Sequence, residues 1–366
     1  MKNISELKQI LGQQLNWHKA RIDFFSQALI GLFLGKSINF REIAIFMPSP
    51  ASVDSRYKRI QRFFSGFEIN FDIIAQWLFS LFFNSDDKIY IAIDRTNWFR
   101  GKSKINIFML CICYEGIAIP IFWRLLNKAG NSTGQEQIEL LEQFTRLFGK
   151  HQIKGVLADR EFPNAQFIAW LQQNNIAFYM RVKHDAMVHI KRKKYKTAGE
   201  IFNCLGRREH KIFNMRITIF QQQYLFLAAS KNEKDELMII VTNDTPKVAI
   251  ATYLRRWEIE CFFQALKQRG FQLESTHVTN LDRLEKVIGL LAIAFCWAHK
   301  VGEWQAIKKP IRLKSIKKQK RPQASFFKYG LDFMRDCMSS LKSNIKSMRE
   351  ILSHLIPKSS QLEAVV

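Results

Sequence analysis

The chain has 366 residues, 47% of them hydrophobic and 24% charged, with only 16 Gly and 8 Pro. That composition excludes collagen-like and low-complexity chains, and the length suffices for a buried core and for more than one domain. Lys plus Arg number 56 against 32 Asp plus Glu, a formal net charge of +24. A surplus of that size attracts polyanions, nucleic acid first and an anionic membrane surface second.

The six cysteines include no CxxC pair, and most sit in apolar runs. A reduced thiol there acts as a small hydrophobe, so a reducing compartment is expected. Residues 1–8 are polar and lack a leader-like apolar core. The apolar stretches at 71–83 and 287–298 are too short to span a bilayer. A soluble, cytoplasmic protein with no membrane partner is therefore expected.

Residues 1–84 read as a helical region, with apolar residues at helical spacing in 24–33 and 60–64. Two short helices, 38–46 and 52–64, are predicted on either side of Met47-Pro48-Ser49-Pro50. The second carries Arg56, Lys58, Arg59 and Arg62, with Ser52 or Asp54 as its N-cap. It reads as a helix-turn-helix-like DNA reader with Arg56, Arg59 and Arg62 as contacts, or as an amphipathic helix with a solvated basic face.

Residues 85–184 change pattern. Strands are predicted at 88–94 (KIYIAID), 105–114 and 117–126, the last two joined by a tight turn at Glu115-Gly116. A helix at 133–148, a strand at 154–159, a helix at 164–174 and a strand at 177–183 follow. That order gives the α/β fold class: an RNase H-like mixed sheet flanked by helices. Residues 185–243 form a β-rich insertion, with strands at 212–220, 224–229 and 237–242. Its basic start supplies Lys191, Arg192 and Lys193 as candidate DNA contacts. Residues 244–305 complete the core, with a helix from Pro246 to about Arg269. Residues 306–366 give a basic linker, eight Lys or Arg within 308–321, then a helical hairpin at 326–356.

Two predicted strands end in aspartate, Asp94 before Arg95-Thr96-Asn97-Trp98 and Asp159 before Arg160-Glu161-Phe162. A carboxylate at the carboxyl edge of a strand faces the crevice where α/β sheets bind ligands. Two side by side repel unless a cation lies between them, and hard oxygen ligands suit a divalent metal. Each Asp alone also fits a cap of the turn that follows it. Arg160 and Glu161 are expected to make local surface contacts. None of the eight His has metal-ligand spacing.

The segment YLRRWEIECFFQALK adds a third element. At about 100° per residue, Tyr253, Arg256, Glu260 and Lys267 share a stripe about 60° wide, opposite Ile259, Phe262 and Leu266. An ordinary Arg256–Glu260 pair on a solvent face is the plainer reading.

These motifs resemble those of the DDE transposases of bacterial insertion sequences, the insertion-sequence-4 family with its YREK signature. Tyr253, Arg256, Glu260 and Lys267 match the signature, and Asp94 in AIDRTNW and Asp159 in LADREF look like the first and second catalytic aspartates. The resemblance covers roughly residues 30 to 300. It implies that Asp94, Asp159 and Glu260 are catalytic and coordinate two Mg²⁺ or Mn²⁺ ions. Tyr253, Arg256 and Lys267 bind phosphates near the cut. The implied activity is cut-and-paste transposition: metal-dependent cleavage at transposon ends, often through a hairpin, and strand transfer into target DNA. The implied partners are double-stranded DNA, both terminal inverted repeats and target, and a second copy in a homodimeric synaptic complex. The implied setting is bacterial and nucleoid-associated. An RNase H-like nuclease without strand transfer and an inactive transposase-derived DNA-binding protein are the alternatives.

Overall fold

Short polar side chains mark where the first helices begin. The computed structural model describes residues 2–101, 103–190, 194–221, 223–316, 319–339 and 345–358. Its contacts divide the chain into a helical unit, Met1–Asn84, Trp98–Ile105 and Phe262–Val366, and an α/β unit, Ser85–Asn97 and Asn106–Cys261. The first five helices are α1 (Lys2–Leu15), α2 (Lys19–Gly35), α3 (Phe40–Phe46), α4 (Val53–Gly66) and α5 (Phe71–Phe82). Asn39, Ser52 and Asn70 accept hydrogen bonds from first-turn amides of α3, α4 and α5, satisfying donors that have no partner inside the helix. Of the two caps available to α4, Ser52 is the one used. Ile60, Phe63 and Phe64 bury one face of α4, with Phe63 packed 4.5 Å from Phe24 of α2.

The arginines of α4 divide between the two faces. Arg56 donates to the carbonyls of Ala44, Ile45, Met47 and Ala51, closing the last turn of α3. Arg59 pairs with Asp23 at 2.9 Å. Arg62 is exposed. The helical period explains this: Arg56 and Arg59 fall on the side of Phe63 and are drawn into the unit, whereas Arg62 falls on the solvent side.

In the α/β unit the sheet begins with three long strands, β1 (Ile89–Arg100), β2 (Ser103–Tyr114) and β3 (Ile117–Leu125). Glu115 and Gly116, with φ of 44° and 87°, make the left-handed two-residue turn between β2 and β3. Helix α6 (Gly134–Phe148) is opened by a reciprocal cap between Thr133 and Glu136. Then come β4 (Ile153–Ala158), α7 (Ala165–Gln173) and β5 (Phe178–Val182). β4 runs parallel to β1, and β5 parallel to β4. The order β3-β2-β1-β4-β5, antiparallel and then parallel, is the RNase H-like arrangement.

The β-rich insertion prolongs this same sheet. It contains β6 (Met187–Ile190), β7 (Lys194–Thr197), a short helix α8 (Ala198–Ile201), β8 (His210–Ile219), β9 (Gln223–Lys231) and β10 (Leu237–Thr242). β10 returns antiparallel to β5, with Ile239 opposite Val182, so ten strands hydrogen-bond in one sheet. The chain then enters α9 (Ala249–Leu254) and α10 (Trp257–Gln264).

The C-terminal part returns to helices. It comprises α11 (Leu281–Lys308), a two-stranded ribbon β11 (Leu313–Ile316) and β12 (Gln319–Pro322), then α12 (Phe326–Ser339) and α13 (Ile345–Ser353). The basic segment after 308 is thus partly a β-ribbon, where a linker was expected, with Leu313–Ile316 paired antiparallel to Gln319–Pro322. No helix of the described residues is long and apolar enough to cross a membrane. Trp77 and Trp297 donate their indole N–H groups to the carbonyls of Leu355 and Ile351, which fixes the C-terminal turns to the bundle.

Helices α11 and α12 cross at two glycines. A Cβ at Gly302 would lie 1.8 Å from the Phe326 carbonyl oxygen, and one at Gly330 would lie 1.9 Å from that of Ala298. Only a hydrogen fits between backbones this close. Gly330→Ala is therefore expected to cost about 3 kcal/mol or more by forcing the helices apart. Thermal or urea unfolding checks this, and a stability equal to wild type would show that the crossing yields freely.

Candidate active site

The parallel pairing of β1 and β4 builds the first half of the site. Its register sets Ile93 opposite Ala158. The next residues are Asp94 and Asp159, so both follow the last paired position of the two strands; β4 ends there, whereas β1, expected to stop at residue 94, runs on to Arg100. Asp94 accepts a hydrogen bond of 2.7 Å from the Arg95 amide, which turns its carboxylate along the edge.

Arg95 holds this edge in place, a role that local sequence did not disclose. Its guanidinium forms a bidentate pair with Glu161 at 2.6 and 2.7 Å. It also donates to Asn106, Asn131 and the Gly130 carbonyl. Glu161, expected to contact its surface neighbours, instead ties the turn after β4 to the middle of β1. The partners are 66 positions apart, beyond the reach of any local pattern.

Glu260 arrives on the helices after the insertion, which are not the continuous helix expected from Pro246 to Arg269. The amides of Arg255, Arg256, Glu258 and Ile259 bond three residues back, so the chain tightens between α9 and α10. It then widens into a π-helical turn at Ala265–Arg269. Arg255 stabilises the tight turn: it donates to the Cys113 carbonyl, pairs with Glu258 at 3.2 Å and lies 5.0 Å from the Tyr90 ring. The backbone at Tyr114 and Gly116 steadies the Glu258 carboxylate, which burial nevertheless holds above its ordinary value.

This turn aims Arg256 inward, among the acids. Its guanidinium donates to Asp94 at 3.0 Å and to Glu260 at 2.5 Å. Its third nitrogen donates to the Tyr253 hydroxyl at 3.1 Å, and that hydroxyl donates to Asp159 at 3.2 Å. One guanidinium thereby connects all three carboxylates, two directly and one through a phenol. Tyr253 and Arg256 are only 4% and 8% exposed, so neither lies on a solvent face.

The electrostatics show how short of positive charge the site is. Burial pushes the Asp94 carboxyl from 3.8 up to about 7. The Arg256 charge and the Arg95 amide pull it back, and the charges of Asp159 and Glu161 push it up again. Burial likewise lifts the Tyr253 phenol to about 12, keeping it a neutral donor. Burial opposes the Arg256 charge, but Tyr253, Asp94 and Glu260 overcome it and hold the guanidinium above its ordinary value.

Among the described residues, no three His, Cys, Asp or Glu side chains already stand together as a metal-binding group. The donor chemistry nevertheless fits a divalent cation. Asp94 and Glu260 meet one guanidinium, Asp159 joins it through the Tyr253 hydroxyl, and burial raises the Asp94 carboxyl to about 7.

Lys267 belongs to the helical unit, pairs with Glu274 at 2.8 Å and lies 5.3 Å from the Trp98 ring. The single wheel that aligned it with Glu260 assumed an unbroken helix. Lys191, Arg192 and Lys193 fall outside the described residues.

The strand order defines the class, an RNase H-like α/β protein with acidic residues where its two central parallel strands cease to pair. Residues 87–297, more than half of the chain, match the family described as the transposase DDE domain. The chain belongs to that family. No curated protein matches it. Among solved structures it resembles the piggyBac transposase synaptic complex with hairpin DNA, determined by cryo-EM, at a TM-score of 0.47 and 12% identity. That match covers 98% of this chain and 83% of the other.

The raised Asp94 value sets a pH dependence. The folded chain holds this proton more tightly than the unfolded chain, so the associated stability is complete below about pH 4 and is lost as pH rises through about 7. In EDTA, Asp94→Asn is expected to melt several degrees above wild type at pH 8, with the gap closing toward pH 4. Melting curves across that range test it, and a pH-independent gap would remove the Asp94 proton as its cause.

Proposed function

We propose that the chain cuts phosphodiester bonds at the ends of its own mobile element and joins the freed ends to target DNA. The observation that carries this reading is the Arg256 guanidinium bridging Asp94, Glu260 and, through Tyr253, Asp159. Mutually repelling carboxylates are brought to one place, in a chain whose net charge of +24 favours a polyanionic partner.

Asp94, Asp159 and Glu260 would hold two Mg²⁺ or Mn²⁺ ions. Bound there, the ions would supply Lewis-acid chemistry at the phosphodiester. The chain's own residues do the rest. Arg95 and Glu161 keep the two strand ends rigid beneath the reacting group. The Tyr253 hydroxyl orients the Asp159 carboxylate. Arg256 presents a planar fork that matches a carboxylate pair and equally a phosphate, so it can pass from one to the other as substrate arrives. Lys267 would add a point charge for a neighbouring phosphate. The duplex substrate and a dimer on paired ends follow from the family resemblance.

One experiment separates this reading from a nuclease or an inactive binder. The protein is incubated with Mg²⁺ and duplexes copied from the DNA flanking its gene, and products are resolved on denaturing gels. Nicked, hairpin and joined species are expected. Cutting without joining would show a nuclease, and binding alone an inactive binder. Asp94→Ala is expected to retain DNA affinity and lose cleavage by at least about a thousandfold, as removal of a catalytic metal ligand requires. Cutting by that variant at the wild-type rate would take Asp94 out of the site.

A further inference from the structure

The helix is interrupted between α9 and α10 where its local sequence supplies no reason. Residues 252–258 (TYLRRWE) contain neither Pro nor Gly, the residues that usually interrupt a helix. Left to itself such a segment continues as one α-helix, as its spacing predicts. Yet four amides, those of Arg255, Arg256, Glu258 and Ile259, bond three residues back. Each such step turns the chain by about 120° rather than about 100°. Contacts from outside the segment must therefore hold the interruption in place.

Those contacts converge on Arg255 and Cys113. The Arg255 guanidinium donates to the Cys113 carbonyl at 3.3 Å, and the Cys113 thiol donates back to the Arg255 carbonyl at 3.6 Å. The thiol is the weaker donor, but Cys113 is only 4% exposed, so water does not compete for its bond. The same guanidinium lies 5.0 Å from the Tyr90 ring of β1 and pairs with Glu258 of α10 at 3.2 Å. One side chain thus grips two strands of the sheet and the helix beyond the interruption.

The gripped segment carries the site. Tyr253 precedes the interruption, Arg256 lies in it, and Glu260 follows it. Two successive arginines divide the work: Arg256 bonds to Asp94 and Glu260, whereas Arg255 is spent on the sheet. Tyr90 and Asp94 are four residues apart on β1 and so share one of its faces. Seating Arg255 on Tyr90 therefore sets where Arg256 falls along that face. Among the described residues Arg255 bonds to none of the three acids, so it acts on them through the turn.

We infer that Arg255 and Cys113 are positioning residues: by clasping the α9–α10 interruption to β1 and β2, they aim Arg256 and Glu260 at the aspartates. Without the clasp the segment relaxes toward an unbroken helix, and Glu260 rotates away from Asp94. The bearing on cleavage rests on the catalytic reading above, whereas the clasp itself does not.

Arg255→Leu removes the donors and leaves an apolar side chain over Tyr90. With Mg²⁺ and a duplex copied from the DNA flanking the gene, its turnover is expected to fall about a hundredfold with KM for DNA unchanged. Arg255→Lys, which keeps the charge beside Tyr90 and Glu258, is expected to recover part of that loss. Cys113→Ala is expected to slow turnover severalfold, and Cys113→Ser, which keeps a donor, to stay near wild type. Two measurements need no cleavage. Mn²⁺ affinity, followed by calorimetry, is expected to fall about tenfold in Arg255→Leu. Amide exchange, followed by mass spectrometry, is expected to quicken within 252–260 and to keep its wild-type rate in β4 and β5. If Arg255→Leu instead exchanges faster throughout, Arg255→Lys and Cys113→Ala carry the same comparison. Wild-type turnover and wild-type exchange in these variants would overturn the inference. So would a raised KM with unchanged turnover, which would make Arg255 a DNA contact. Wild-type protein that neither cuts nor joins would refute the catalytic reading instead, and exchange within 252–260 would still decide the clasp.

Discussion

Several carboxylates placed together away from water need a cation. In this chain the cation is the Arg256 guanidinium, which touches Asp94 and Glu260 directly and reaches Asp159 through the Tyr253 hydroxyl. The surrounding structure is arranged to make that contact possible. The parallel register of β1 and β4 supplies two of the acids. The tight turn at 255–256 supplies the third and swings the arginine among them. Burial is the main reason for the high proton affinity of Asp94, which the Arg256 charge only partly offsets. A site that stores unfavourable charge of this kind is well matched to a divalent ion or a reacting phosphate.

Rigidity beneath the acids comes from a second ion pair. Arg95 and Glu161 form a half-buried bidentate pair supported by Asn106, Asn131 and the Gly130 carbonyl. With the donors satisfied, the pair fixes geometry at modest electrostatic cost. The helical unit achieves rigidity differently, by close backbone contact at Gly302 and Gly330 and by indole hydrogen bonds to the last turns of the chain.

Charge count and charge placement are separate properties in this protein. A net +24 describes the long-range field. It does not reveal which cations are available to a ligand. On α4, Arg56 caps another helix and Arg59 joins Asp23, while Tyr57, Gln61 and Arg62 remain on the outer side. Helical angle alone does not separate these groups, because Tyr57 lies nearer the buried Phe64 than Arg59 does to Phe63.

The sequence by itself determined the elements and the acids at their ends. Apolar alternation, helical spacing and polar caps act within a few residues, so the strand before Asp159, the start of the strand that carries Asp94, the turn at Glu115-Gly116 and the cap at Ser52 were legible, whereas the run of β1 on to Arg100 was not. Tertiary structure decided what depends on partners distant in sequence. The pairing of β10 with β5, the Arg95–Glu161 link, the ribbon in the basic C-terminal segment and the break before Glu260 belong to this second group. A helical wheel assumes a constant rotation per residue. Where hydrogen bonds shift from four residues to three, and later to five, that assumption fails. Only the folded chain could then show Arg256 facing the carboxylates and Lys267 paired with Glu274.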